Sequence, residues 1–424
     1  EKNRILLKPI FMDLLRIATA GSVDDGKSTL IGRLLYETGS LKEDQLKHIE
    51  EKSASNGLDH LDFSLATDGL LTEREQGITI DVSHLYFKTK KRRFNIADSP
   101  GHIEYTRNMV TGTSNSDATL LLLDARKGVI EQTKRHFYIT QLLGIKKVIF
   151  AVNKMDLVGY DQNVFDRIKE DIAHLIQNQN TKDLTAYYIP LSALKGDNLL
   201  LKSPKMPWYG GKALFDLIEN IAVNEPPSKE NVLQVQTVIR PKLAAYHDYR
   251  GFAGKVKSGS FSVGDAIEVF PSGTKTKIKS IEQYGVNQEQ VSQGQNATLL
   301  LEDEVNVSRG DSLFTPSNSI EFTKIINAKV CWMQDKALKA EHKYLLQFGS
   351  KKSLAKITDV SERIDVSGDG SKETTALGLN DIGIASFQLA HPVLCIPYPE
   401  NKNLGSFIII DINTNNTAGV GFIE

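Results

Sequence analysis

The chain has 424 residues, 40% of them hydrophobic and 24% charged, with a net charge of −1 and two cysteines. That is long enough for two or three domains, and the near-zero charge argues against a pervasive nucleic-acid or membrane field. Cys331 and Cys395 form no C-x-x-C pair, which excludes a disulfide framework and a cysteine zinc site and fits a reducing compartment. Apolar runs such as Leu120–Leu123 and Phe407–Ile410 are far too short to span a bilayer, and the opening residues do not read as a signal peptide. A cytoplasmic location is therefore expected.

Residues 1–13 carry little signal. Leu14–Ala20 is apolar enough for a buried strand, and Gly21-Ser22-Val23-Asp24-Asp25-Gly26-Lys27-Ser28 follows it, matching G-x-x-x-x-G-K-[ST]. Thr29 onward reads as a helix, with Leu30, Leu34 and Leu35 on one face. Glycines let the backbone wrap a polyphosphate, and amides at a helix N-terminus point at its charge. In that geometry Lys27 bridges the β- and γ-phosphates while the Ser28 hydroxyl ligates Mg²⁺. A bare glycine turn between strand and helix would satisfy the pattern alone.

Residues 37–78 are polar, with a short helix expected over Glu43–Lys52, and loops of this length are commonly functional. The segment ends at Glu73-Arg74-Glu75-Gln76-Gly77-Ile78-Thr79-Ile80-Asp81, where a strand begins that continues through Phe87. Thr79 suits a γ-phosphate sensor that completes the Mg²⁺ shell, although a strand threonine needs no such role. Phe94-Asn95-Ile96-Ala97-Asp98-Ser99-Pro100-Gly101-His102 comes next. Asp98 ends a strand, where a carboxylate reaches Mg²⁺, commonly through water. The Gly101 amide can approach the γ-phosphate, and His102 stands where it could orient an attacking water; a Pro-Gly turn with a surface histidine is the plain alternative.

Ala118–Asp124 is an apolar strand, a helix is expected near Glu131–Leu143, and the strand Lys147–Val152 runs into Asn153-Lys154-Met155-Asp156. That tetrapeptide selects guanine. The Asn153 amide can bond the purine Hoogsteen edge, and Asp156 can accept from N1–H and the exocyclic amine, a donor pair adenine lacks. The stem of Lys154 can lie across the ring. A strand at Tyr187–Leu191 leads to Ser192-Ala193-Leu194, where a backbone amide, that of Ala193, can donate to guanine O6. Each tetrapeptide is weak alone, but four in this order, each after an expected strand, specify a guanine-nucleotide domain. Strands alternating with helices over 14–222 predict a mostly parallel α/β sheet with phosphates at the strands' carboxyl ends.

Pro226-Pro227-Ser228-Lys229-Glu230 reads as a linker. Beyond it, short alternating strands are punctuated by Ser258-Gly259, Val263-Gly264-Asp265, Pro271-Ser272-Gly273 and Arg309-Gly310-Asp311, the spacing of an all-β barrel. A second boundary falls near Thr315-Pro316-Ser317-Asn318, and strands at Ile325–Trp332, Tyr344–Phe348, Ile384–Gln388 and Ser406–Ile412 make another β domain. The expected division is a nucleotide domain over 1–225 and barrels over 231–316 and 322–424. The two tryptophans and the strand aromatics read as core or interface packing, not as a stacking platform for bases.

One G domain followed by two β-barrels resembles the translational GTPases of the elongation factor Tu kind. The chain is more closely similar to the GTPase subunits of bacterial sulfate adenylyltransferase. The residues that carry this are Gly21 through Leu35, Glu73 through Val82, Tyr105-Thr106-Arg107-Asn108-Met109, Asp124-Ala125-Arg126-Lys127-Gly128 and Met206-Pro207-Trp208-Tyr209. Arg250-Gly251-Phe252-Ala253-Gly254, Ser308-Arg309-Gly310-Asp311 and the closing Asn416-Thr417-Ala418-Gly419-Val420-Gly421 extend it into all three expected domains. Asp25 stands where the elongation factors usually carry histidine. Ser99 replaces a threonine, Ile103 stands at a usual glutamate with Glu104 one place later, and Leu243–His247 is longer than usual.

The resemblance implies a P-loop GTPase that takes GTP and Mg²⁺, with His102, Lys27 and Thr79 in catalysis and Ser28, Thr79 and Asp98 toward the metal. It implies a separate adenylyltransferase small subunit as partner, in a heterodimer or larger assembly. There ATP and sulfate would become adenosine 5′-phosphosulfate and pyrophosphate, driven by GTP hydrolysis. An adenylylsulfate kinase is a further partner it allows; nucleic acid and membrane are not expected. The alternative is an elongation-factor-like translational GTPase, and a scaffold with a degenerate nucleotide site is disfavoured by intact Lys27, Ser28, Thr79, Asp98 and His102.

Overall fold

The computed structural model describes residues 13–55, 57, 60–66, 82–100, 106–179, 183–223, 230–241, 249–316, 320–365 and 370–424. Backbone packing divides the chain into two compact units, with the break between Val223 and Asn224.

The first unit is a six-stranded sheet. In chain order its elements are β1 Leu14–Ala20, α1 Lys27–Glu37, α2 Glu43–Ser55, β2 Ser83–Lys88, β3 Arg93–Asp98, α3 Thr106–Thr113 and β4 Ala118–Asp124. They continue as α4 Glu131–Leu142, β5 Lys147–Asn153, α5 Gln162–Asn178, β6 Thr185–Pro190 and α6 Leu214–Asn220. The strand order is β2-β3-β1-β4-β5-β6, parallel throughout except for β2, which pairs antiparallel with β3. All seven residues of β4 are buried, so its uninterrupted apolar run reflects a strand covered on both faces. Chain order departs to one side of β1 for β3 and to the other for β4. The loop leaving β1 therefore opens at the point where the winding reverses, the crevice of a doubly wound sheet.

The second unit holds two closed barrels. In the first, Ala266–Phe270, Ser312–Phe314, Val232–Ile239, Gly251–Ser258, Asn296–Leu301 and Thr274–Gln283 pair in ring order, and the last pairs back to the first. In the second, the ring runs Lys343–Phe348, Ser406–Ile410, Thr417–Ile423, Glu321–Trp332, Ile382–Cys395 and Lys351–Asp365, closing on itself again. Closure removes the free sheet edges that alternating strands would otherwise present. Each barrel has its own core, one around Phe252, Phe261 and Val291 and the other around Trp332, Phe387 and Phe407. Cys331 and Cys395 are both free thiols, and no described helix is long and apolar enough to cross a membrane.

Candidate nucleotide site

The loop between β1 and α1 is held from inside. Gly26 caps α1 at φ 90°, and a Cβ there would lie 2.4 Å from Asn153 Nδ2, so the position demands glycine both by conformation and by space. Lys27 is buried, and its ammonium donates to the Gly21 and Ser22 carbonyls at 2.9 and 3.2 Å. Burial pulls the Lys27 pKa down, while Asp98, Asp25 and Asp24 act in the opposite sense. Asp25 is 1% exposed; its Oδ2 accepts the Ser22 amide at 2.6 Å and its Oδ1 has no partner. Burial raises the Asp25 carboxyl to about 6, against the lowering effects of the Ser22 amide and Lys27.

Register then fixes the acidic residues. Parallel pairing sets Thr19 beside Asp98, and the Thr19 hydroxyl donates to Asp98 Oδ1 at 2.9 Å. Asp98 is thus fixed at the end of β3, and Ser28 lies on the first turn of α1. Asp124, at the matching end of β4, is claimed by Arg126 Nη2 at 2.6 Å and Lys154 Nζ at 3.1 Å. Burial works against its charge, but Arg126 and Lys154 outweigh burial and hold its carboxyl below the usual range.

The base loops meet through Asn153. Its Nδ2 donates to the Asp25 carbonyl at 2.8 Å, and its Oδ1 accepts the Ala193 amide at 2.9 Å. One buried side chain therefore fastens Gly21–Ser28 to Ser192-Ala193-Leu194, and the Ala193 amide, offered to O6 by the sequence reading, is engaged by Asn153 here. Lys154 adopts φ 63°, and its ammonium donates to the Asp24 carbonyl and pairs with Asp124. Asp156 is half-buried on the 3-10 turn Met155–Val158.

The structure thus gathers Gly21, Ser22, Val23, Asp24, Asp25, Gly26, Lys27, Ser28 and Thr29 with Asp98, Asn153, Lys154, Asp156, Ser192, Ala193 and Leu194 at the carboxyl ends of β1, β3, β5 and β6. Thr79, Gly101 and His102 lie outside the described residues. Sequence reasoning missed Thr19 and gave no role of their own to Arg126 and Arg33, although both lie in stretches that carry the resemblance. Arg33 sits on α1 next to its own partner Glu37 and donates to the Leu194 carbonyl at 3.1 Å, tying the last base loop to the phosphate helix. A threonine next to the end of β1 and an arginine two residues past Asp124 were the available signals.

Residues 12–235 match the family model of the elongation factor Tu GTP binding domain, and 325–424 match the GTP-eEF1A C-terminal domain-like family. Sulfate adenylyltransferase subunit 1 of Alteromonas mediterranea is 44% identical, over 97% of this chain and 87% of its own length. The protein of the same name from Psychromonas ingrahamii matches with the same identity and coverage. The bifunctional enzyme CysN/CysC of Mycobacterium tuberculosis is 43% identical over 97% of this chain and 67% of that enzyme.

Proposed function

The chain belongs to the family of sulfate adenylyltransferase subunit 1, and on that footing we propose how its residues hold and use GTP. It is a GTPase that acts in sulfate activation. The observation that carries the residue assignment is the bridge made by Asn153 between the phosphate loop and Ser192-Ala193-Leu194. It supports reading the two loops it joins as a polyphosphate cradle and a purine-reading loop of one crevice.

In this reading the amides of Gly21–Ser28 and the Lys27 ammonium hold the β- and γ-phosphates, and Asp156 accepts from guanine's two donors. The Ser28 hydroxyl and the Asp98 carboxylate are hard oxygen donors and fit Mg²⁺, which in a nucleotide site needs only one or two protein oxygens beside phosphate and water. Thr19 keeps Asp98 aimed for that task, and Thr79 completes the set. Bound Mg²⁺ would neutralise charge on the transferring phosphate. Thr79 and Gly101 sense the γ-phosphate, and His102 positions the water. Loss of the γ-phosphate releases their loops and changes the chain's grip on its partner.

That partner is a separate adenylyltransferase subunit in the cytoplasm, in a heterodimer or an assembly of heterodimers, with an adenylylsulfate kinase as a further associate. It joins sulfate to the AMP moiety of ATP with release of pyrophosphate. The sulfate–phosphate anhydride makes that step uphill, which supplies the physical reason for coupling to GTP. The family models matched are shared with translational GTPases, but relatives 44% identical over 97% of the chain carry the name sulfate adenylyltransferase subunit 1, and this favours sulfate activation over the translational reading. The test uses the complex captured from native extract, measuring the final extent of adenosine 5′-phosphosulfate formed. GTP should drive it beyond the extent reached with a non-cleavable GTP mimic; equal extents would overturn the coupling.

A further inference from the structure

The two base loops are also tied to each other by side chains outside either motif. After the turn Met155–Val158, Gly159 and Tyr160 both take the left-handed region, at φ 65° and 58°, and the Tyr160 amide donates back to the Met155 carbonyl at 2.8 Å. This reversal carries the phenol across to the opposite loop, where its hydroxyl donates to Asp197 Oδ2 at 2.8 Å. Asp197 Oδ1 accepts from Ser203 Oγ at 2.6 Å. Lys205 Nζ lies 3.3 Å from Asp197 Oδ2 and 3.1 Å from the Tyr160 hydroxyl, and 5.1 Å from the centre of the phenol ring. The Asp197 carbonyl accepts the Ser192 amide at 3.2 Å, so the carboxylate and the head of Ser192-Ala193-Leu194 are fixed together. From the other side Trp208 Nε1 donates to the Tyr160 carbonyl at 3.1 Å.

We propose that Tyr160, Asp197 and Lys205 form a clasp that positions both base-reading loops, and so sets how tightly this chain holds a guanine nucleotide and how sharply it rejects other bases. These are positioning residues, acting through Asp156 and the Ser192 loop, and the inference rests on the guanine reading given above. Burial would raise the Asp197 carboxyl, but Ser203, Tyr160 and Lys205 hold it below its ordinary value, so it stays charged at neutral pH. Removing one donor leaves a largely buried charge underpaired, and the loop relaxes to satisfy it. A base pocket loses selectivity when its donors and acceptors shift by as little as an ångström.

The test uses the full chain with Tyr160→Phe, which removes one hydroxyl and keeps the ring, and with Lys205→Met at a half-exposed side chain. Dissociation of a fluorescent GDP is timed by stopped flow, with competition by GDP, ADP and inorganic tripolyphosphate. GDP affinity should fall roughly tenfold, mainly through faster dissociation. The preference for GDP over ADP should shrink, while tripolyphosphate, which meets only the phosphate loop, competes as before. In steady state the loss should appear in KM for GTP more than in kcat. An unchanged GDP-to-ADP ratio in both variants overturns the clasp, as does an equal loss for tripolyphosphate. If the unaltered chain itself fails to prefer GDP, the guanine reading falls first and the clasp with it.

Discussion

Asp25 is a carboxylate 1% exposed, one oxygen bonded to the Ser22 amide and the other without a partner. Its folded-state pKa of about 6 lies above the ordinary 3.8, so unfolding releases a proton between those values. The stability it contributes therefore falls as pH rises through that window and is smallest above it. Asp25→Asn, which keeps an acceptor for Ser22, should flatten that slope and gain up to about 3 kcal/mol at neutral pH. Thermal unfolding of both proteins at pH 4.5 and 7 checks this, and parallel profiles would count against it. At Asp156 the expectation concerns the base: Asp156→Asn should weaken GTP binding by roughly 10- to 100-fold, the worth of hydrogen bonds to a charged acceptor, and favour xanthine nucleotides. Titration with fluorescent guanine and xanthine diphosphates reads both changes.

At the scale of elements, α1 does several jobs within a few residues. Lys27 faces the phosphate loop, Arg33 reaches Leu194, and Gly32 lets the turn Phe63–Ala66 lie directly on the helix. A Cβ on Gly32 would sit 1.9 Å from the Phe63 carbonyl oxygen, a backbone atom that cannot step aside cheaply. Arg33 covers the same Phe63 ring at 5.0 Å. Alanine is the better helix former, yet Gly32→Ala should destabilise the first unit by about 1–3 kcal/mol, because overpacking outweighs propensity. A urea midpoint moving upward would contradict this. The polar stretch after α1 was legible only in part. The helix expected over Glu43–Lys52 runs over Glu43–Ser55, and Ile49 and Ser53 are its only buried residues, too few to print a period. The turn Phe63–Ala66 was not foreseen, because a single buried Phe63 has no periodicity to read.

For the whole molecule, the second unit shows how two barrels become one body. Val232, Phe314, Leu394, Ile396 and Leu404 form a cluster of their own between the barrels, and Phe270 stacks on Phe322 at 3.9 Å. Gln234, buried in the first barrel, donates to the Phe348 carbonyl at 2.8 Å and accepts the Ser350 amide at 3.1 Å from the second. Gln234→Ala strands both groups and should cost about 2 kcal/mol. In calorimetry the barrels' common transition should broaden or split; an unchanged endotherm would argue that the apolar cluster alone couples them.

The strands and their closing residues follow from local pattern. Ala118–Asp124 falls where its apolar run places it, Asp98 and Asp124 end their strands, and the barrel punctuation sits in turns, because period and turn chemistry act over a few residues. What local pattern could not supply is partner choice. Asn153 selects Asp25 and Ala193, 128 and 40 positions away, and Tyr160 selects Asp197. Those pairings depend on which strand lies beside which, and strand order is decided by the burial of whole faces rather than by any one segment. The sequence by itself determined a nucleotide-binding α/β unit followed by β-rich segments, and it pointed to the loops that meet at the carboxyl ends of the strands. The tertiary structure alone decided which polar groups hold the others in place, since a side chain's partner is set by proximity in space.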